Sequence, residues 1–201
     1  NKLLEANPKD GFLYRGRGIS NAYKGQYDLS LTDLSRGLEE DPDGWAYFER
    51  GCVYSCKRSW PEALSDFQKA RDLLPKEKDY PEFRIWQVRL RAGQREEATK
   101  DWKAYLGGRP PQKGDDWYLT VAKYYLDELP EAELFVATKT SDEVKTRRRQ
   151  MEADFAVATT SLSRGDKARA KQLFTRCIER GDPIMFYYIW NSASELEGLK
   201  R

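Results

Sequence analysis

Histidine is missing from this chain of 201 residues, and cysteine occurs only three times. Without histidine there is no Ser-His-Asp or Cys-His catalysis within the chain, no His-ligated metal and no haem held by a CxxCH segment. Three cysteines, a low and odd count, argue against a disulfide framework. An excess of one charge is lacking too. Lys and Arg number 35 against 33 Asp and Glu, leaving +2, so no net field points toward nucleic acid or a membrane surface. No apolar run approaches the ~20 residues of a membrane span. No signal peptide opens the chain, and its first residues read as a helix already under way.

What is present is ordered. The mean hydropathy of −0.85 and 34% charged residues would suit a disordered segment, but 13% aromatics, with six Trp, twelve Tyr and eight Phe, are too many for one. The stretch Trp45, Tyr47, Gly51, Tyr54, Trp60, Ala63, Phe67, Ala70, Pro75 predicts two antiparallel helices. Gly51 and Ala63 stand at their crossing, Tyr54 and Phe67 fill the space beside it, and Pro75 stops the second helix. One such pair cannot bury its own apolar face and needs neighbours of the same kind.

Those neighbours are readable. Pro8, Pro42, Pro75 and Pro110 are almost evenly spaced along the chain. Gly18, Tyr27, Ser30, Leu34, Gly37 and Pro42 return, all at one constant offset, as Gly51, Trp60, Ala63, Phe67, Ala70 and Pro75. This pattern of small and large residues resembles the tetratricopeptide repeat. The resemblance implies an all-α fold, a right-handed superhelix (an α-solenoid of antiparallel helix pairs).

Segment 1–110 then holds the end of a preceding helix and three repeats, at 11–43, 44–75 and 80–110. In the first, helices are expected over Phe12–Lys24 and Asp28–Glu40 with Gly25-Gln26 as the turn. Arg17 and Asn21 stand where the family has Leu and Tyr, which reads as a loosened repeat. In the third, Trp86 takes the place of the small crossing residue, which predicts a wider or rotated crossing. Residues 107–111, Gly-Gly-Arg-Pro-Pro, read as the strongest break and a hinge. Segment 111–201 holds an irregular helical pair (115–139), a fourth repeat (142–181) with Ala158, Ala170, Phe174 and Cys177 at its packing positions, and a terminal helix (183–200). The run Ile184–Trp190 predicts a helix buried on every side, and the whole reads as one continuous array. The layout, with Trp117, Leu119 and Val121, then Gly165-Asp166-Lys167, Phe174, and Tyr188, Glu195 and Leu196, is similar to bacterial outer-membrane lipoproteins of the NlpI-like group. That resemblance implies an extracytoplasmic setting beside envelope proteases or hydrolases.

In the tetratricopeptide family a ligand lies in the concave groove lined by the first helix of each pair. The family register places Phe12, Arg15, Ile19 and Tyr23 there from repeat 1, Trp45, Phe48, Cys52 and Cys56 from repeat 2, and Tyr80, Phe83, Arg84, Gln87 and Arg91 from repeat 3. Aromatic anchors with Arg at intervals are the mixture of binding hot spots; the alternative is that several pack against neighbouring helices. Family members that clamp a C-terminal carboxylate use Lys, Asn and Arg residues at positions that here read Arg15, Ile19, Glu49, Tyr80 and Arg84. Ile19 and Glu49 break that clamp, so a more apolar peptide or a partner helix is expected.

Cys52 and Cys56, four apart on one helical face, are too distant for a disulfide and supply two ligands where zinc wants four. They read as structural thiols, and no metal or cofactor is expected. Arg147-Arg148-Arg149 points in three directions along a helix and reads as a solvated face. Carboxylates are many, but no spacing selects an acid–base pair. The expectation is a non-enzymatic adaptor binding a protein or peptide, with neither nucleic acid nor membrane contact. Its rival is an assembly module that dimerises through the ends of the array.

Overall fold

The computed structural model describes residues 2–110, 114–182 and 185–200. Asn1, Pro111 of the expected break, and Pro183 and Ile184 of the terminal segment lie outside them. Every regular element among the described residues is a helix. The chain is all-α and divides into two compact units, Asn1–Ala92 and Gly93–Arg201.

The first unit contains α1 (Lys2–Ala6), α2 (Gly11–Tyr23), α3 (Tyr27–Glu40), α4 (Gly44–Cys56), α5 (Trp60–Leu73) and α6 (Asp79–Arg91). Helices α2 and α3 pair, α4 and α5 pair, α3 packs on α4, and α5 packs on α6. The crossings are as close as the small residues allow. A Cβ on Gly18 would meet Leu34 at 2.8 Å, and one on Gly51 would meet the Phe67 ring at 2.9 Å. Ser30, Leu34, Ala63, Phe67 and Ala70 are all buried.

Charges repeat with the packing. Arg17 bonds Asp33 through Nε and Nη2 at 2.8 and 2.6 Å and lies 5.6 Å from the Tyr14 ring. One repeat on, Arg50 bonds Asp66 at 2.7 and 2.8 Å and lies 5.6 Å from Tyr47. The Asp33 carboxylate also accepts from Asn21 at 3.0 Å. Arg17 and Asn21 therefore do not loosen the first pair; they close it through a carboxylate that the second helix supplies. The caps recur as well. Asp10 accepts from Leu13 N and Asp43 from Ala46 N, each satisfying a free N–H at a helix start, while Lys24 and Lys57 are the C-caps.

One residue takes positive φ in each of five short connections between successive helices: Gly25 at 71°, Arg58 at 60°, Gly93 at 80°, Asp127 at 61° and Gly165 at 87°. Glycine adopts this conformation freely, whereas Arg58 and Asp127 hold it against a steric cost of about 1–2 kcal/mol.

The second unit contains α7 (Arg95–Gly108), α8 (Trp117–Tyr125), α9 (Glu131–Ala137), α10 (Glu143–Ser163), α11 (Lys167–Arg180) and α12 (Phe186–Gly198). The long α10 is its axis: α11 pairs with it, and α8, α9 and α12 all touch it. Ala158, Ala170, Phe174 and Cys177 are fully buried, and Gly181 closes α11 at φ 48°. Asp154, wholly buried, accepts from both Arg176 and Arg180. Of the terminal run, Met185, Tyr187, Tyr188 and Trp190 are buried, while Ile189 is partly exposed.

Two further features differ from the sequence reading. The units part at the Gly93 turn, and α7 runs on through Gly107 and Gly108. Arg109 then bonds Asp116, the N-cap of α8, at 2.5 and 3.1 Å, joining the end of α7 to the start of α8. Nor is the arginine triplet a solvated face. Arg149 is buried against Asp115 at 2.5 Å and lies 5.0 Å from the Trp117 ring, while Arg147 and Arg148 both reach the buried Asp182.

Candidate functional site

The groove residues expected from the sequence fall into two sets. Phe48, Cys52, Cys56, Phe83, Arg84 and Gln87 are buried and present nothing to a ligand at the surface. The cause is on α6. Tyr80 meets Trp45 edge-on at 5.7 Å, and the Arg84 charge is felt by the Cys52 thiol, so α6 stands in front of the face of α4 that the helix period leaves open. Phe48 turns inward instead, 5.6 Å from Phe67 and 5.7 Å from Trp45. On α6 itself every residue from Pro81 to Val88 is buried, and Arg84 donates to Gln87 Oε1 at 2.9 Å. Burial pushes the Cys52 thiol up to about 12, against the pull of Arg84, which keeps it protonated and a poor nucleophile at neutral pH. All three cysteines are free and buried.

The second set is accessible. Phe12 is 73% exposed and Tyr23 48%, while Ile19, between them on the same side of α2, and Trp45 and Arg91 are partly exposed. Phe12 sits at the mouth of an open cleft of ≈ 280 Å³ that it shares with Arg15, Gly37, Asp41, Asp43 and Ala46. Arg15 is not available to an incoming carboxylate: its guanidinium bonds Glu49 at 2.7 and 2.8 Å and Asp43 at 3.1 Å. Those bonds to Glu49 hold Arg15 above its ordinary value, whereas burial pushes the Glu49 carboxyl up despite Arg15. With Arg15 held by Glu49 and Asp43, and Asp43 capping α4 besides, the uncovered charge of the cleft is that of the exposed Asp41, so it favours a cation.

On the other side of Phe12 a second cleft of ≈ 340 Å³ is lined by Leu3, Leu4, Leu13, Gly16 and Ser20. The sequence reading passed over it because it took only the groove face of each first helix. The signal was there in the small residues Gly16 and Ser20, which stand where the next repeat has Glu49 and Val53.

Among the described residues no group of three or more Cys, Asp or Glu side chains is placed to hold a metal ion, and no helix is long and apolar enough to cross a membrane. No protein-family model matches the chain, and no curated protein matches it as a relative, so its own repeated geometry is what characterises it.

Proposed function

We propose that the chain is a right-handed superhelix of tetratricopeptide-like pairs that works as a non-enzymatic scaffold, holding a peptide or partner protein on the exposed side of α2. The observation that carries this reading is the doubled module of the first unit. Cap, Tyr–Arg–Asp cluster, glycine crossing and left-handed turn all return at the one sequence offset. Units repeated in this way present continuous surfaces rather than enclosed catalytic pockets. Phe12, Ile19 and Tyr23 supply an apolar and aromatic stripe, and Asp41 and Asp43 lie beside it. A ligand with an apolar side chain for Phe12 and a basic one for the adjacent Asp41 carboxylate suits this surface; a free C-terminal carboxylate does not.

The test is a photo-reactive residue at position 19, compared with one at position 62 on α5. Protein adducts formed at 19, absent at 62 and lost on Phe12→Asp would support the reading. Equal labelling at both positions would overturn it. The second reading, assembly of the chain with further copies of itself, draws on the exposed Leu3 and Phe12. Sedimentation at two concentrations separates the two.

A further inference from the structure

We propose that the side of α11 bearing Arg169, Arg176 and Arg180 docks an acidic segment of a partner protein, with carboxylates for the guanidiniums and an apolar side chain for Phe135. This surface lies within the second unit and does not depend on the stripe of α2.

The three arginines follow one another at helical spacing on one side of α11, and their contacts fix where that side faces. Arg169 pairs with Glu131 and Arg176 lies 5.3 Å from the Phe135 ring, both on α9, while Arg180 donates to Gln150 Oε1 on α10 at 2.5 Å. Beneath them is Asp154 of α10. Arg176 donates to its Oδ1 through Nε at 2.8 Å and through Nη2, and Arg180 to its Oδ2 through Nε at 2.7 Å. That carboxylate is wholly buried, whereas the two arginine side chains are 41% and 24% exposed. The negative charge is at the bottom and the positive charge at the surface. One guanidinium neutralises one carboxylate, so two of them on Asp154 leave a positive charge over.

The fold does not require this arrangement. In the first unit each helix pair is closed by a two-pronged arginine–aspartate contact, Arg17–Asp33 and Arg50–Asp66. With Gly51 aligned to Ala158 and Phe67 to Phe174, the places of Arg50 and Asp66 are taken by Val157 and Leu173, both buried. Helices α10 and α11 are thus closed by apolar packing, and Asp154 and Arg176 stand instead in the places of Tyr47 and Lys69. The charge on this side of α11 is additional to what holds the two helices together.

Chemistry selects the occupant. Guanidiniums with open edges match planar carboxylates, and the half-exposed Phe135 ring beside Arg176 offers apolar contact to the neighbouring residue. A nucleic acid suits the surface less. The chain's net charge is only +2, and Glu131, against Arg169, and Glu179, beside Arg180 in the sequence, would meet a continuous phosphate backbone. A peptide can place neutral residues there.

The probe is a fluorescein-labelled peptide of repeated Glu-Glu-Leu, titrated against the whole chain by fluorescence anisotropy at about 0.15 M salt. Saturable binding is expected, weakened about fivefold or more by Arg176→Gln and less by Arg176→Lys, which keeps the charge but loses the fork. Arg180 still covers Asp154 in both variants, so the fold is kept, and an unchanged thermal melt checks this. Arg169→Gln, which leaves Asp154 untouched, should weaken binding about twofold. Lys171→Gln removes an exposed cation from another side of α11 and should change nothing. Phe12→Asp should change nothing either, so the two surfaces hold or fail separately. No saturable binding, an equal loss with Lys171→Gln, or binding of a labelled oligodeoxythymidine as tight as that of the peptide would each overturn the proposal.

Discussion

Arg50 on α4 grips Asp66 on α5 through both Nε and Nη2, and Arg17 on α2 grips Asp33 on α3 in the same way. Each arginine also lies over a tyrosine one helical turn earlier. A two-pronged guanidinium–carboxylate contact fixes the rotation of one helix against the other as well as their distance. The acids are buried in both pairs, but Arg50 is more enclosed than Arg17, at 16% against 38% side-chain exposure.

The two pairs should therefore differ in worth. Removing one partner of a buried pair leaves a charge without compensation, at a cost of about 3 kcal/mol. Arg50→Ala, which strands Asp66, is expected to approach that figure, and Arg17→Ala to cost about 1–2 kcal/mol because water reaches its side chain. Urea unfolding of both variants measures the ranking, and a reversed order would contradict it.

Two glycines on different helices should respond to alanine with opposite signs. At Gly51 the new methyl meets the buried Phe67 ring at 2.9 Å, so Gly51→Ala should destabilise by about 1–3 kcal/mol through overpacking. At Gly16 it meets nothing, and the helix gains about 0.5–1 kcal/mol from the lost backbone freedom of glycine. Thermal melts of the two variants on either side of the parent chain are the expected result; a shift in the same direction would count against the crossing.

Acid should act on the two units differently. The Arg149 hydrogen bond holds the Asp115 carboxyl below its ordinary 3.8, so the stability it contributes is complete above that value and is lost as pH falls through the lower, folded one. Glu49 runs the other way. Burial raises its carboxyl above 4.5, so the folded state holds the proton more tightly and its contribution fades as pH rises past that point. Urea midpoints between about pH 3 and 7 should show Asp115→Asn with a shallower acid limb and Glu49→Gln with the opposite change in slope. Parallel curves for parent and variants would refute both assignments.

The three thiols should be silent in the folded chain. Cys52, Cys56 and Cys177 are buried, and the Cys52 thiol is pushed up to about 12. A disulfide reagent is expected to label none of them in buffer and all three in urea, at a rate limited by opening. Prompt labelling of Cys52 in buffer would mean that α6 does not stay against α4.

The packing could be read from the sequence because it is written in residue size. Gly18 and Gly51, Leu34 and Phe67, Ser30 and Ala63 recur at one interval, and the structure puts them at the crossings. Charge carried the same period and was harder to see. Arg17 looks like a misfit until Asp33 is set beside it, and the pair is recognisable only when Arg50 and Asp66 are found at the equivalent places of the next repeat. The site was readable only in part for a different reason. Helical spacing tells which side Phe48, Cys52 and Cys56 face, but not that α6 stands in front of them. Burial there is decided by a neighbour far along the chain, which local periodicity does not encode.

The left-handed turn residue has a consequence for how such a chain can grow. Arg58 holds the same conformation as Gly25, so the helices on either side impose the turn, and glycine merely makes it cheaper. Each repeat thus brings its own cap, turn, crossing and charge pair, and meets its neighbour through packing and a few polar contacts such as Arg15–Glu49. Such a block is a unit of duplication. A chain in which residues 44–76 are copied in tandem should fold, with a higher urea midpoint than its parent; a lower midpoint would mean that the block is less self-sufficient than its geometry implies.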